Sequence, residues 1–212
     1  MDVKATAQTK ARYDRIAPVY DLMETFVERF AFRHWREKLW SLVDGDKVLE
    51  VGVGTGKNML YYPDNIQVTA IDLSDRMLRQ ARRRAERLGL DVDLRHMDVQ
   101  ALDFPDGTFD TVVASFVFCS VPDPVLGLRE LARVTKPGRQ ILLLEHVRAE
   151  NPILGRIMDI LNPLVVRIWG ANINRRTVEN VRRAGLEIET VKCLSGEGIV
   201  KLIVAITAQA DQ

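Results

Sequence analysis

The residues of this chain best suited to chemistry are a set of closely spaced glycines and two acids placed around them. Val48-Leu49-Glu50-Val51-Gly52-Val53-Gly54-Thr55-Gly56 sets three glycines at alternate positions directly after an apolar, β-branched run. Asp72 ends a second such run, Val68-Thr69-Ala70-Ile71, twenty residues after the first glycine. Glycine admits backbone angles closed to other residues and lets a ligand approach the main chain with no Cβ in the way. A helix starting near Gly56 would direct its free amide groups at that ligand. A carboxylate at position 72 can accept bonds from both hydroxyls of a ribose. The chemistry expected is the holding of a nucleoside-containing cofactor.

One position decides between cofactors. A dinucleotide fingerprint places its third glycine at position 57, so that the helix packs close and holds a pyrophosphate at its amino end. Here position 57 is Lys. Glu50, two residues ahead of Gly52, adds a negative charge that would repel a pyrophosphate but could orient a sulfonium or ammonium group. These residues favour S-adenosylmethionine over NAD, with S-adenosylhomocysteine as the product.

The elements that must position these residues can be read from the hydrophobic pattern. Strands are predicted at 47–52, 67–72, 91–96, 109–116, 139–146, 186–193 and 199–207. Helices are predicted at 8–21, 25–42, a short one from 56, 75–88, 124–135 and 175–184, the last ending at Gly185. Such alternation gives an α/β class chain with a doubly wound, Rossmann-like, seven-stranded sheet and its site at the carboxyl ends of the strands. Ser195-Gly196-Glu197-Gly198 reads as a hairpin turn, so an antiparallel last strand is expected. One domain covers residues 1–212, with amino-terminal helices over 1–42 and an insertion over 151–170.

The pattern as a whole resembles the class I S-adenosylmethionine-dependent methyltransferases. Asp98-Val99-Gln100 follows the third strand as does the acid that faces the adenine in that family. Phe109-Asp110-Thr111-Val112-Val113-Ala114-Ser115 looks like its fourth-strand motif, and Leu131-Ala132-Arg133-Val134-Thr135-Lys136-Pro137-Gly138 is similar to the turn before its fifth strand. Arg139 replaces a second glycine there, a departure expected to affect a turn and not the pocket. Arg12-Tyr13-Asp14-Arg15-Ile16-Ala17-Pro18-Val19-Tyr20-Asp21 is similar to the ubiquinone/menaquinone C-methyltransferases and the bacterial phospholipid N-methyltransferases. Phe118-Cys119-Ser120-Val121-Pro122-Asp123-Pro124, Leu144-Glu145-His146-Val147 and Asn172-Ile173-Asn174-Arg175 look most like the phospholipid enzymes and related animal thiol methyltransferases.

The resemblance implies a cofactor site of Tyr13, Tyr20, Glu50, Gly52, Gly54, Gly56, Asp72, Leu73, Met77, Asp98, Val99 and Ser115. It implies methyl transfer to the amine of phosphatidylethanolamine, with C-methylation of a prenylated quinone precursor, S-methylation of a small thiol, or a non-catalytic cofactor-binding module as alternatives. The sulfonium is already activated, so the protein must mainly align an acceptor lone pair and exclude water. Tyr20, Ser115 and His146 are the candidates to line the acceptor. Tyr20, His146, Asn174 and Arg175 are the candidate substrate contacts. Tyr13 and Tyr20 could offer aromatic faces to a cation, or simply pack one helical face. Arg175 and Arg176 could hold a lipid phosphate.

Composition is consistent with this reading. The 212 residues are 47 % hydrophobic and 28 % charged, and 30 basic against 29 acidic side chains leave a net charge of +1. That balance marks no nucleic-acid binder. Cys119 and Cys193 lack a CxxC spacing and read as reduced core thiols of a cytoplasmic protein, with no metal site. The amino terminus lacks the apolar core of a signal peptide, and no uncharged run is long enough to span a bilayer. In 151–170, Ile153, Leu154, Ile157, Ile160, Leu161, Leu164, Val165, Ile168 and Trp169 recur at helical spacing, with a kink expected at Pro163. That segment reads as a lid over the substrate pocket, or as a peripheral contact with a membrane surface. The arginines from Arg76 to Arg87 read as a solvated helix face.

Overall fold

Apolar residues on both faces of successive strands create a sheet that helices must cover on each side. The computed structural model describes residues 2–27 and 32–209, without the side chains of residues 18–27, Ile168 and Trp169. Its strands are β1 (Lys47–Val51), β2 (Gln67–Asp72), β3 (Val92–His96), β4 (Phe109–Ser115), β5 (Thr135–His146), β6 (Glu187–Cys193) and β7 (Val200–Ile206). They form one sheet in the order β3-β2-β1-β4-β5-β7-β6. The first five are parallel, whereas β7 runs antiparallel to both of its neighbours. The strand order reverses at β1, which has β2 on one side and β4 on the other. The loops leaving β1 and β4 diverge there and open a crevice.

The helices are α1 (Val3–Val27), α2 (Arg33–Trp40), α3 (Asp75–Leu88), α4 (Pro124–Val134), α5 (Pro152–Trp169) and α6 (Thr177–Arg183). Local chemistry sets their limits. The Ser74 hydroxyl accepts the Met77 amide at the start of α3, and Gly89, at φ 66°, ends it. Asp123 caps α4 by accepting from Val125 and Leu126, with Pro124 at the first helical position.

Strand pleating divides the core in two. Leu49, Val51, Val112, Ala114 and Leu143 pack with Leu128 and Leu131 of α4 and Val181 of α6. Val48, Val113, Leu142 and Leu144 meet Leu39 and Trp40 of α2 on the other face, where Val68 and Ala70 meet Leu78 and Ala81 of α3.

The structure corrects three sequence expectations. α1 begins at Val3, five residues before the expected start, and α2 covers only Arg33–Trp40. The short helix after Gly56 is a 3-10 turn, Lys57–Tyr61. β5 starts at Thr135 because Lys136-Pro137-Gly138-Arg139 loops out between two pairings, Phe109 with Thr135 and Thr111 with Gln140.

Candidate active site

The glycine loop takes backbone angles that its sequence predicts: Gly52, Gly54 and Gly56 have φ of 66°, 56° and 82°. The three differ in what surrounds them. A Cβ at position 52 would stand 2.5 Å from Val117 Cγ2, and one at 56 would stand 2.8 Å from Met59 Sδ, whereas one at 54 meets nothing within 4 Å. Gly54 therefore borders open space that a ligand can fill, while Gly52 and Gly56 make room for protein. The Gly54 amide donates to Asp72 Oδ2 and the Ser74 amide to Asp72 Oδ1, each at 2.8 Å. These two bonds fix the carboxylate and leave it lone pairs for a ligand.

Above this loop lies a cavity with about 730 Å³ of empty space, part of it open to solvent. Val51, Gly52, Gly54, Ile71, Asp72, Leu73 and Met77 form one wall, and Met97, Asp98 and Val99 a second. Ser115, Phe116, Val117, Ser120, Val121 and Pro122 form the third, and Thr9 and Tyr13 of α1 form the roof. Asp98 accepts from the Gln100 amide at 2.9 Å and from the Thr6 hydroxyl at 3.3 Å. The Tyr13 hydroxyl pairs with Ser120 Oγ. Nine of the expected cofactor residues meet in this lining: Tyr13, Gly52, Gly54, Asp72, Leu73, Met77, Asp98, Val99 and Ser115.

Glu50 lies elsewhere. Strand alternation puts Val51 in the cavity wall and turns Glu50 to the opposite face, where it is fully buried. There it accepts from Asn58 Nδ2 at 2.6 Å and from the Tyr62 hydroxyl. Burial pushes its pKa up to about 7, against the opposing pull of these donors and of Arg36. Arg36 Nη1 donates to Asn58 Oδ1 at 2.7 Å and to Ser115 Oγ at 3.2 Å, and Asn58 Nδ2 also reaches Ser115 Oγ at 2.8 Å. With its lone pairs engaged from below, Ser115 has its own hydroxyl proton to offer a ligand. Arg36, Asn58 and Tyr62 were not expected at the site. Only the buried acid at position 50 hinted at them, because an interior carboxylate needs donors.

Phe116, next to Ser115, has φ 58°, a rare conformation for a side chain of this size. It is held by Phe32, 4.9 Å away between ring centroids, and by the Arg36 guanidinium 5.6 Å from its ring.

The remaining candidates serve the framework around the cavity. His146 lies outside the lining, contacts the Ile173 backbone, and is held below the usual histidine range by burial. Asn174 donates to Asp159 of α5 at 3.0 Å, and Arg175 donates to the Val121 carbonyl at 2.7 Å. Asn162 of α5 bonds Asn172 and the Ile173 amide. Among the described residues, none of α5 lines the cavity, and Ile153, Ile157, Ile160, Leu161 and Leu164 are 46–74 % exposed. The side chains of Tyr20, Ile168 and Trp169 lie outside the described residues. Cys119 is buried as expected, but Cys193 is exposed.

Comparisons with known proteins agree with this geometry. Residues 49–143 match the family described as a methyltransferase domain. The phosphatidylethanolamine N-methyltransferase of Cereibacter sphaeroides is 46 % identical over 112 residues, which are 51 % of this chain and 55 % of that protein. The chain thus spans about half the length of that relative. A demethylmenaquinone methyltransferase of Renibacterium salmoninarum is 32 % identical over 81 % of this chain and 71 % of its own length. That of Thermus thermophilus is 35 % identical over 76 % of each. Among solved structures, the SpnF cyclase aligns with a TM-score of 0.74 at 21 % identity, covering 92 % of this chain and 94 % of its own. A methyltransferase from Thermotoga maritima aligns at 0.71 and 23 % identity, covering 93 % and 99 %. S-adenosylmethionine suits the cavity: Gly54 leaves open space, Asp72 keeps acceptor capacity for a nucleoside, Asp98 lines the facing wall, and Ser115 offers a donor. With this site on this fold, the chain belongs to the class I S-adenosylmethionine-dependent methyltransferases and is an enzyme of that family.

Proposed function

We propose that this enzyme N-methylates the ethanolamine head group of a phospholipid, carrying phosphatidylethanolamine towards phosphatidylcholine. The observation that carries the reading is α5, whose Ile153, Ile157, Ile160, Leu161 and Leu164 form an exposed apolar stripe. Its opposite side is tied to the loop at 172–174 through Asn162 and Asp159. A stripe of this kind suits the boundary of a bilayer, with Arg156 and Arg167 able to reach lipid phosphates. Among the described residues, no helix is long and apolar enough to cross a membrane. On this reading the protein touches a membrane surface peripherally, from the cytoplasmic side. The 46 % identity to a phosphatidylethanolamine N-methyltransferase supports the same acceptor.

The bound cofactor supplies an activated methyl group, and the protein supplies position and dryness. Asp72 and Asp98 would hold the nucleoside end, and Ser115 would donate to the other end. Phe116, Val117 and Val121 exclude water from the space where an amine would enter, and an ammonium ion loses its proton more readily in such a place. Tyr13 offers an aromatic face to the methylated cation, and Tyr20 on the same helix remains the candidate hydroxyl at the acceptor. Burial keeps His146 neutral near pH 7, and its place outside the lining suits support of the acceptor loop better than proton removal. Asn174 and Arg175 act on the acceptor through the same loop.

A second reading, C-methylation of a prenylated quinone precursor, is favoured by demethylmenaquinone methyltransferase relatives that match 71–76 % of their own length. Incubating the enzyme with methyl-labelled cofactor, phosphatidylethanolamine liposomes, a quinol precursor and a small thiol separates them. Label should enter the lipid amine. Label in the quinol or the thiol, with none in lipid, overturns the proposal.

A further inference from the structure

We infer that Glu145 is a positioning residue of the cofactor cavity, holding from outside the wall segment that runs from Val117 to Val121. The segment is gripped at both ends. Glu145 Oε1 accepts from the Val117 amide at 2.9 Å and from the Phe118 amide at 3.1 Å. The Cys119 carbonyl accepts from the backbone and the side chain of Asn172, each at 2.9 Å, and the Val121 carbonyl from Arg175 at 2.7 Å. Glu145, Asn172 and Arg175 all lie outside the cavity lining, whereas Val117, Ser120 and Val121 lie in it.

The tolerance of this wall is small. Val117 sits so near Gly52 that a Cβ there would be 2.5 Å from it, so a displaced segment runs into the glycine loop or opens a gap beside it. A carboxylate accepting two main-chain amides fixes their direction more firmly than apolar packing could. Glu145 is also kept against a cost. It is fully buried, burial pushes its pKa up to about 7, and Oε2 has no hydrogen-bond partner among the described residues. Arg175, whose charge favours the ionised form of Glu145, has an Nε in the same condition. Leucine at this strand position would pack without that cost, so what the acid adds is direction to the wall.

The inference does not depend on the acceptor, and binding of S-adenosylhomocysteine by calorimetry tests it. Glu145→Met keeps the volume but removes the acceptor, and should weaken binding about tenfold or more, as expected for losing two charge-assisted bonds. Glu145→Gln retains a carbonyl for both amides and should stay within about threefold of wild type. Leu142→Ala, buried on the opposite face of β5, should lower the melting temperature while leaving affinity unchanged. A folded Glu145→Met variant that binds like wild type overturns the inference. So does Glu145→Gln as weak as Glu145→Met, or Leu142→Ala weakened as much as either. If Glu145→Met does not fold, Asn172→Ala, which removes the side-chain bond to the Cys119 carbonyl together with the tie to Asn162, should weaken binding about threefold, while Asn162→Ala, which cuts the α5 tie alone, should leave affinity unchanged; unchanged affinity in Asn172→Ala overturns the inference.

Discussion

Glu50 and Glu145 stand at the carboxyl ends of two parallel strands separated only by β4, and both are fully buried with pKa values pushed up to about 7. Their surroundings are built in opposite ways. Glu50 is satisfied by the side chains of Asn58 and Tyr62, eight and twelve residues further along the chain. Glu145 is satisfied on one oxygen only, by main-chain amides of a loop that precedes it by 27 and 28 residues. At the β1 end the acid's own donors are local, within twelve residues, and Arg36 and Ser115 join them through Asn58. The β5 end is assembled from distant loops, with Asn172 reaching Cys119 across 53 residues. The two constructions support opposite sides of one cavity, the first through Ser115 and the second through the Val117–Val121 segment.

The sharpest way to break this division is at the point where the two regions touch. Gly52→Ala should weaken S-adenosylhomocysteine binding about a hundredfold, combining a left-handed backbone cost with overpacking against Val117. Adding Val117→Ala should recover part of it, and calorimetry showing no recovery would mean that the two halves are independent. Asp72→Asn comes next. Its amide nitrogen cannot accept from the Gly54 or Ser74 amide, so affinity should fall roughly tenfold to thirtyfold in the same titration.

On the acceptor side, Ile160→Asp with Leu164→Asp should reduce cosedimentation with phosphatidylethanolamine vesicles about tenfold and leave cofactor affinity unchanged. Equal sedimentation of wild type and variant would remove α5 from the membrane reading.

The smallest effect is in stability against pH. Acids whose folded pKa is about 7 and whose ordinary value is 4.5 contribute stability that is full below 4.5 and is lost as pH rises to 7. Melting temperature should fall across that window. Glu50→Gln and Glu145→Gln should each flatten the slope, which differential scanning calorimetry can follow.

The same division governs how much could be read in advance. Strands β1, β2 and β4 and helix α3 announce themselves through apolar runs and caps, and the glycines with Asp72 form a spacing that belongs to one backbone geometry. Glu50 was read as a pocket residue because it lies near Gly52 in sequence, but the period of two in a strand sends it to the far face. Asn174 looked like a substrate contact and is spent on Asp159. Nothing in the residue type at 116 predicts a left-handed phenylalanine, since Phe32 and Arg36, which hold it, come from a different part of the chain. The role of Glu145, within the Leu144-Glu145-His146-Val147 motif, is illegible for a related reason: what it binds is backbone, and backbone has no sequence.

The roof of the cavity has a kinetic meaning. Along α1, Thr6 reaches Asp98, Lys10 reaches Asp75 at 2.8 Å, Tyr13 reaches Ser120, and Asp14 reaches Ser74 at 2.6 Å. With the Gln80 side chain donating to the Ala17 carbonyl at 2.6 Å and Arg76 to the Asp14 carbonyl at 3.1 Å, these ties cross from one helix to α3 and to the loops after β2, β3 and β4, over the side of the cavity that Thr9 and Tyr13 roof. Each tie is individually weak in water, and none of them is a bond within the sheet, so they could part together without disturbing it. A helix tied down in this way would act as a latch over that side of the cavity, and its opening rate would bear on how fast a cofactor exchanges.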